Sequence, residues 1–203
     1  MLCALFLTAS CEPMNVAPSP EYDRVNISKL HFEDLMTEQN TFINHFLIAM
    51  PQLQGSYFAN SVIYIWRHSD EGALGTVINL PMDMKLSEIF DQLDISVQNQ
   101  AAANKMVLSG GPVETDKGFI IHDASTQWPS TMDVTDDIRI TTSKDILADI
   151  SHDEGPENYL IALGCAGWSP GQLEQEIIEN SWLTCPASKE IIFSTDFADK
   201  ANQ

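Results

Sequence analysis

The run GCAGWSPGQLEQEI at residues 164–177 is the densest group of unusual residues in the chain. Its glycines could bring the backbone close to a ligand, and the N–H groups at a helix start can hold an anion. A purely structural role fits the same residues, because Ser169, Pro170 and Gln172 suit the N-cap, first and third positions of a helix. The run also lacks the patterns of a serine-hydrolase elbow and of a phosphate loop. We therefore predict that a helix begins at Pro170 and that capping explains most of this run.

Glycine-rich segments supply the candidates for contact with a ligand. SGGPV at 109–113 predicts either a tight turn between strands or a cradle for a ligand. In GCAGWSPG at 164–171, Gly164 and Gly167 indicate either a bend in the strand or a close approach of another group to its backbone. The candidate ligand-binding residues are Gly110, Gly111, Gly167, Trp168 and Gly171.

Three polar residues are candidates for catalysis. His122 ends the apolar run GFIIH beside Asp123 and could act as a general base, although a histidine bonded to backbone is the common alternative. Ser143 and Asn79 could supply polar partners, although a helix cap and a turn explain them equally well. Together with an anion hole at the Pro170 helix start, these residues would suit a small hydrolase or transferase, provided that they converge on one pocket.

The cysteines and histidines do not have the spacing of a metal site. The four cysteines form no Cys-x-x-Cys pair, and the five histidines form neither His-x-His nor His-x-x-x-His. We expect no metal and no cofactor, and we expect the reduced thiols that are usual in a cytoplasmic protein.

The charge of the chain limits its partners. The sequence has 29 acidic and 10 basic residues, a formal net charge of −19, and its lysines and arginines are not clustered. Such a surface repels nucleic-acid phosphates and anionic membranes. No stretch approaches the roughly 20 apolar residues of a membrane span. We expect the partner to be a protein or a small molecule.

The first 35 residues differ from the rest of the chain. MLCALFLTASC ends in small residues and a cysteine, as a lipoprotein signal does, but no Lys or Arg precedes its short apolar run. The following residues are polar and contain several prolines, which is typical of disorder. We predict a disordered leader at 1–35, a physiological start at Met36 and a single domain at 36–203.

Short apolar runs predict seven or eight strands, and residues at helical spacing predict three helices. The predicted helices cover 86–95, 143–150 and 172–183, and EIIFST at 190–195 is predicted to be a final strand. SVIYIWRH at 61–68 and ALGTVINLP at 73–81 predict a hairpin. Because strands often follow one another without an intervening helix, the pattern favours an α+β fold.

The chain resembles the AlgH/YqgE family of bacterial proteins. The matching segments follow the family's order and are FLIAMP (46–51), EGALGTVINLP (71–81), SGGPV (109–113), GFIIHD (118–123), ITTSKDIL (140–147), LGCAGWSPGQLEQEI (163–177) and NSWL (180–183). The resemblance implies an α+β domain of short strands in a curled mixed sheet or pseudo-barrel, flanked by about three helices. It implies a cytoplasmic protein, and the family's name comes from a suggested role in regulating alginate production. It carries no catalytic residue, cofactor or substrate.

Two functions follow from these residues. The first is a non-enzymatic binding or regulatory protein that acts through a glycine-rich surface. The alternative is the small hydrolase or transferase that uses His122 with an anion hole at the Pro170 helix start.

Overall fold

The computed structural model describes residues 41–194, 196–197 and 199–200. The predicted leader at 1–35 and the predicted start at Met36 lie outside these residues. The described strands are β1 (His45–Ala49), β2 (Val62–Ser69), β3 (Gly72–Val77), β4 (Pro81–Lys85), β5 (Met106–Ser109), β6 (Val113–Asp123), β7 (Thr131–Asp133), β8 (Ile138–Thr141), β9 (Tyr159–Trp168) and β10 (Trp182–Pro186). The described helices are α1 (Leu86–Gln92), α2 (Gln100–Ala103), α3 (Asp145–Ser151), α4 (Gln172–Ile178) and α5 (Lys189–Phe193).

The strands form one curled sheet shaped like a half-barrel. Its order is β10-β1-β2-β3-β9-β6-β8-β7, and β5 pairs with both β4 and β9. The β5–β9 pair is parallel and the other pairs are antiparallel, so the sheet is mixed. The first half of β9 pairs with β5 and β6, and its last residues pair with β3. β9 therefore links the two parts of the sheet.

Both faces of the central strands are buried. In β6, Phe119 and Ile121 pack into the hydrophobic cluster that also contains Ile192 of α5, whereas Ile120 packs into the cluster that contains residues of the first three helices. In β2, Tyr64 belongs to the cluster of Ile192, and Ile63 belongs to a third cluster that includes Leu173 of α4. A strand covered on both faces has an apolar run rather than an alternating pattern, which explains the composition of these segments.

The α+β prediction and the predicted β2–β3 hairpin are confirmed, but the number of elements is wrong. The described residues contain ten strands and five helices rather than seven or eight strands and about three helices. The strands β4 and β7 and the helix α2 were not predicted because they are only three to five residues long. Segments that short are fixed by pairing and packing rather than by a recognisable period.

The predicted boundaries of α4 are also wrong. The helix begins at Gln172 instead of Pro170, because Pro170 and Gly171 form the centre of a type II turn. Gly171 has φ +74°, and the N–H of Gln172 donates to the carbonyl of Ser169 at 3.0 Å. Part of the predicted capping by Ser169 and Gln172 is present, since the Gln172 side chain accepts from the N–H of Ser169 at 3.0 Å.

The C-terminal end of α4 is a Schellman motif centred on Asn180, which has φ +58°. The N–H of Asn180 donates to Ile177 O, and the N–H of Ser181 donates to Glu176 O. This turn releases Trp182 into β10, so the predicted helix over 172–183 ends at Ile178.

The predicted final strand at 190–195 is the helix α5 within its described residues. Three consecutive apolar residues suit a strand or a helix equally. Burial of Ile192 on one helical face decides between them. Among residues 41–194, 196–197 and 199–200, no helix has the length and apolar character needed to cross a membrane.

Candidate functional site

His122 is fully buried, and both of its ring nitrogens are engaged. Nδ1 lies 2.7 Å from the carbonyl oxygen of Asp123, which can only accept, so Nδ1 carries the hydrogen. In the neutral ring Nε2 therefore accepts from the Thr141 hydroxyl at 2.8 Å. Thr141 in turn contacts the hydroxyl of Thr131. This chain of hydrogen bonds ties β6 to β8 and β7 and leaves neither nitrogen free to act as a base.

Burial sets the charge of His122. Removal from water lowers its pKa below the ordinary value, against the opposing effects of the Asp123 carbonyl and carboxylate. Burial also works to raise the pKa of the neighbouring Asp123. Hydrogen bonds from Ser125 and Asn158 outweigh that effect and hold the pKa below its usual range.

We expect the chain to lose stability on mild acidification because of His122. Below about pH 6.5, His122 binds a proton in the unfolded chain but stays neutral in the folded protein. The unfolding free energy therefore falls as the pH drops from about 6.5 towards the lower pKa of the folded state. The limiting slope for one proton is about 1.4 kcal/mol per pH unit. Urea unfolding at pH 7.5, 6.5 and 5.5 measures this dependence of the unfolding free energy on pH.

His122→Gln is the comparison variant. It should be less stable than the unmodified chain at pH 7.5, but its unfolding free energy should change less between pH 7.5 and 5.5. Equal slopes in the two proteins would contradict this assignment. The stability that the ionised Asp123 contributes is lost only at lower pH, as the pH falls below the ordinary carboxyl pKa towards the depressed pKa of the folded state.

The other two catalytic candidates do not join His122. The Asn79 side chain accepts from the N–H of Val62 at 2.8 Å and donates to the carbonyl of Asn60 at 2.9 Å, so it fastens the chain before β2 to the end of β3. Ser143 bonds the side chain and N–H of Asp145 at the start of α3. Ser143 lines a surface groove, and His122, Asn79 and Gly171 are not among the residues that line it.

Three of the five ligand-binding candidates are buried. Gly110 and Gly111 lie against the backbone of β9, where an added Cβ would overlap the Gly164 carbonyl and the Cys165 backbone respectively. Trp168 is 7% exposed and donates its indole N–H to Glu176 at 2.9 Å. The space that a ligand would need beside Gly110 and Gly111 is therefore filled by protein. Gly167 and Gly171 are exposed.

An irregularity in β6 builds the groove beside Ser143. Val113 pairs with Cys165 and Gly118 with Leu163, so β6 has three more residues than β9 between these pairs. The extra length forms the ETDK excursion, residues 114–117, whose first residue Glu114 has φ +49°. Such insertions are frequent beside functional sites because they redirect side chains.

The ETDK excursion and the start of α3 both line a cavity of about 560 Å³, which we call the β6–α3 groove. Its floor is aliphatic and consists of Ile89, Leu93, Ile120, Leu147, Ile161 and Leu163. Its rim is polar and consists of Gln92, Glu114, Asp116, Lys117, Thr142, Ser143 and Lys144. An apolar floor with a few polar groups around it is the usual composition of a small-molecule site.

The charges of the rim are only partly paired. Lys117 lies 3.3 Å from Glu114, and both side chains are about half exposed, so this pair is weak. Within the described part of the chain, the side chains of Asp116, Thr142 and Lys144 form no hydrogen bond and no ion pair. One carboxylate, one hydroxyl and one ammonium are therefore free to meet a ligand.

The groove was missed at the sequence level. ETDK is an ordinary polar stretch in the sequence. It lines the groove only because β6 has three more residues than the facing segment of β9. A usable signal was present in the length of polar chain between SGGPV and GFIIHD, which exceeds what a tight turn needs.

Other reactive groups are not poised for chemistry. Burial, assisted by the charge of Glu114, raises the pKa of the Cys165 thiol to about 11, which makes it a poor nucleophile at neutral pH. Cys165 and Cys185 are both free thiols. The described residues contain no cluster of three His, Cys, Asp or Glu side chains that could hold a metal ion.

Known proteins are similar to this chain in sequence and in fold. A model of a family described as AlgH-like matches residues 46–202. A UPF0301 protein of Vibrio atlanticus is 48% identical over 161 residues, covering 77% of this chain and 86% of the relative. A UPF0301 protein of Nitrosospira multiformis is 49% identical over 150 residues, covering 74% and 81%.

Two solved structures match the fold. The AlgH protein from Pseudomonas aeruginosa has 40% identity and a TM-score of 0.68, with 78% of this chain and 84% of that chain covered. A protein from Corynebacterium diphtheriae has 20% identity and a TM-score of 0.62, with 81% and 87% covered, and its likeness concerns the fold alone.

Proposed function

The chain belongs to the AlgH-like family, and we propose that it is a non-enzymatic binding or regulatory protein that holds a small molecule in the β6–α3 groove. The observation that carries the proposal is the combination of an aliphatic floor with unpaired polar groups on both rims. A volume of about 560 Å³ suits a metabolite.

In this proposal the glycine-rich segments shape the site instead of lining it. Gly110 and Gly111 let the chain lie directly on β9. The close contact fixes where β6 begins, and the ETDK excursion follows at once. Glu114 keeps a left-handed backbone there, which for a residue other than glycine is a sign of a constrained and often functional position.

The geometry of the catalytic candidates supports binding over turnover. A general base needs a free nitrogen near its substrate, whereas His122 is buried with both nitrogens bonded. The Ser143 hydroxyl donates to a carboxylate, Asp145, and has no histidine partner among the described residues. We propose that the protein acts in the bacterial cytoplasm, where its charge of −19 keeps it apart from nucleic acid.

We expect a groove ligand to raise the melting temperature of the full chain, and Gly118→Leu to abolish that rise. Gly118 lies on the same face of β6 as Ile120, and an added Cβ meets only Ile120 Cδ1 at 3.8 Å, so a leucine can fill the groove without distorting the backbone. A ligand at about 100 times its Kd stabilises the folded state by about 2.7 kcal/mol, which raises Tm by several degrees. The measurement is a thermal shift screen against metabolites.

Gly167→Leu is the matched control, since its Cβ makes only ordinary contacts and lies outside the groove. It should retain every shift that the unmodified chain shows. The reverse result, with loss in Gly167→Leu and retention in Gly118→Leu, would move the site to the exposed end of β9. If no metabolite gives a shift that Gly118→Leu removes, the groove is not the binding site.

A further inference from the structure

We infer that the ligand of the β6–α3 groove is a small aliphatic zwitterion, of the class of free branched-chain α-amino acids. This inference rests on the proposed function and specifies the ligand of the same site.

The floor of the groove selects the body of the ligand. All six floor residues are leucine or isoleucine, and no aromatic ring is among the residues that line the groove. A planar aromatic ligand would find no ring to stack on. A branched aliphatic chain gains from every contact, because each buried methylene contributes about 0.8 kcal/mol of hydrophobic free energy.

The α3 rim provides hydrogen-bond donors. The Lys144 ammonium and the Thr142 hydroxyl lie on this rim, and neither has a partner within the described residues. An ammonium with a nearby hydroxyl suits a carboxylate, because charge-assisted hydrogen bonds are the stronger kind.

The ETDK rim carries the opposite net charge. On the ETDK excursion, Lys117 and Glu114 form a weak ion pair whose formal charges cancel, and the Asp116 carboxylate has no partner among the described residues. A carboxylate accepts hydrogen bonds and suits a ligand ammonium. A head group bound at the polar rim of the groove therefore has both a cation, Lys144, and an anion, Asp116, among the residues that line it.

The two rims together exclude simpler ligands of either sign. A plain carboxylate could pair with Lys144, but it would leave Asp116 unpaired and would be repelled by a strongly acidic protein. A plain amine would face Lys144. An α-amino acid places its carboxylate towards Lys144, its ammonium towards Asp116 and its side chain on the floor, so that both free charges are paired.

Isothermal titration of the full chain tests this with four compounds. L-leucine has all three elements, 4-methylpentanoate lacks the ammonium, 3-methylbutylamine lacks the carboxylate, and glycine lacks the aliphatic chain. We expect L-leucine to bind at least about ten times more tightly than the other three. The two single-charge analogues lose a charge-assisted hydrogen bond and glycine loses the aliphatic contacts, and either loss costs about that factor or more.

Two charge variants locate the head group. Lys144→Gln and Asp116→Asn should each weaken L-leucine binding about ten-fold or more, and Asp116→Asn should leave the affinity for 4-methylpentanoate unchanged or tighter. Lys189→Gln and Asp70→Asn make the same changes at exposed positions outside the groove and should have no effect.

The results separate the inference from the proposed function. If L-leucine binds no better than its three analogues while another metabolite gives a shift that Gly118→Leu removes, the zwitterion is wrong and the groove stands. If L-leucine binds equally well to Gly118→Leu, the assigned site is wrong. If no compound acts through the groove, both proposals fail.

Discussion

Gly111→Ala is expected to be the most damaging of the substitutions considered, with a loss of roughly 4 kcal/mol or more in the free energy of unfolding. Gly111 is buried, and an added Cβ would overlap the carbonyl carbon and oxygen of Cys165 and the amide of Ala166. These are backbone atoms of the central strand β9, so no side chain can rotate away to make room. Most domains have a total stability of about 5–15 kcal/mol, and we therefore expect little soluble folded protein.

Gly164 takes part in the same contact from the opposite side. It has φ +76°, and an added Cβ would overlap the Gly111 carbonyl oxygen and lie 3.0 Å from that of Val113. Gly164→Ala should thus be nearly as harmful, whereas Gly167→Ala, three residues further along β9, should change stability by less than about 0.5 kcal/mol. Guanidinium unfolding of the soluble fraction compares the three. A Gly111→Ala protein with the midpoint of the unmodified chain would mean that the glycine turn does not press on β9.

Glu176→Ala is expected to cost roughly 2–4 kcal/mol because one carboxylate serves three donors. Its Oε2 accepts from the indole N–H of Trp168 at 2.9 Å and from that of Trp182 at 2.8 Å, and its Oε1 accepts from the Gln172 amide at 2.9 Å. Both indoles are nearly buried, at 7% and 4% exposure. Truncation leaves two N–H groups without their partner and loosens α4 from β9 and β10.

Glu179→Ala, at the C-cap of the same helix, is the matched control for Glu176→Ala. Glu179 is exposed, and among the residues that the structure describes its side chain accepts only from Gln175, four residues earlier. Such a surface pair contributes about 0.2–0.5 kcal/mol. Urea unfolding followed by tryptophan fluorescence reports on both indoles. Equal losses in the two variants would show that the shared carboxylate has no special weight.

The sequence predicted features that depend on local chemistry. Ser169 to Gln172 indicated the start of a helix, and the apolar runs at 61–68 and 73–81 indicated a hairpin; both are present, the first displaced by two residues. The displacement has a local cause, because glycine after proline favours a type II turn. His122 was correctly placed at the end of a strand. Its burial follows from strand pairing. His122 pairs with Arg139 of β8, 17 positions away, and no sequence pattern indicates that partner.

The β6–α3 groove was not predicted for a similar reason. It exists because β6 is longer than the β9 segment that it faces, and the pairing partner of a strand is a tertiary fact. The ligand-binding candidates were chosen because they lie in glycine-rich segments, but Gly110 and Gly111 serve close backbone packing. Asp116 and Lys144, which line the groove, stand in ordinary polar stretches that match no binding motif.

The pairing of β1 with β10 has a consequence for how the protein is made. Ile48 pairs with Leu183, 135 positions later in the chain. During synthesis β1 therefore leaves the ribosome early but cannot pair with β10 until nearly the whole domain has been made. Until then the growing chain presents an unpaired strand edge, which is the kind of surface that recruits other chains. A message truncated before Trp182 would leave that edge permanently open, and the product would be a substrate for chaperones and proteases.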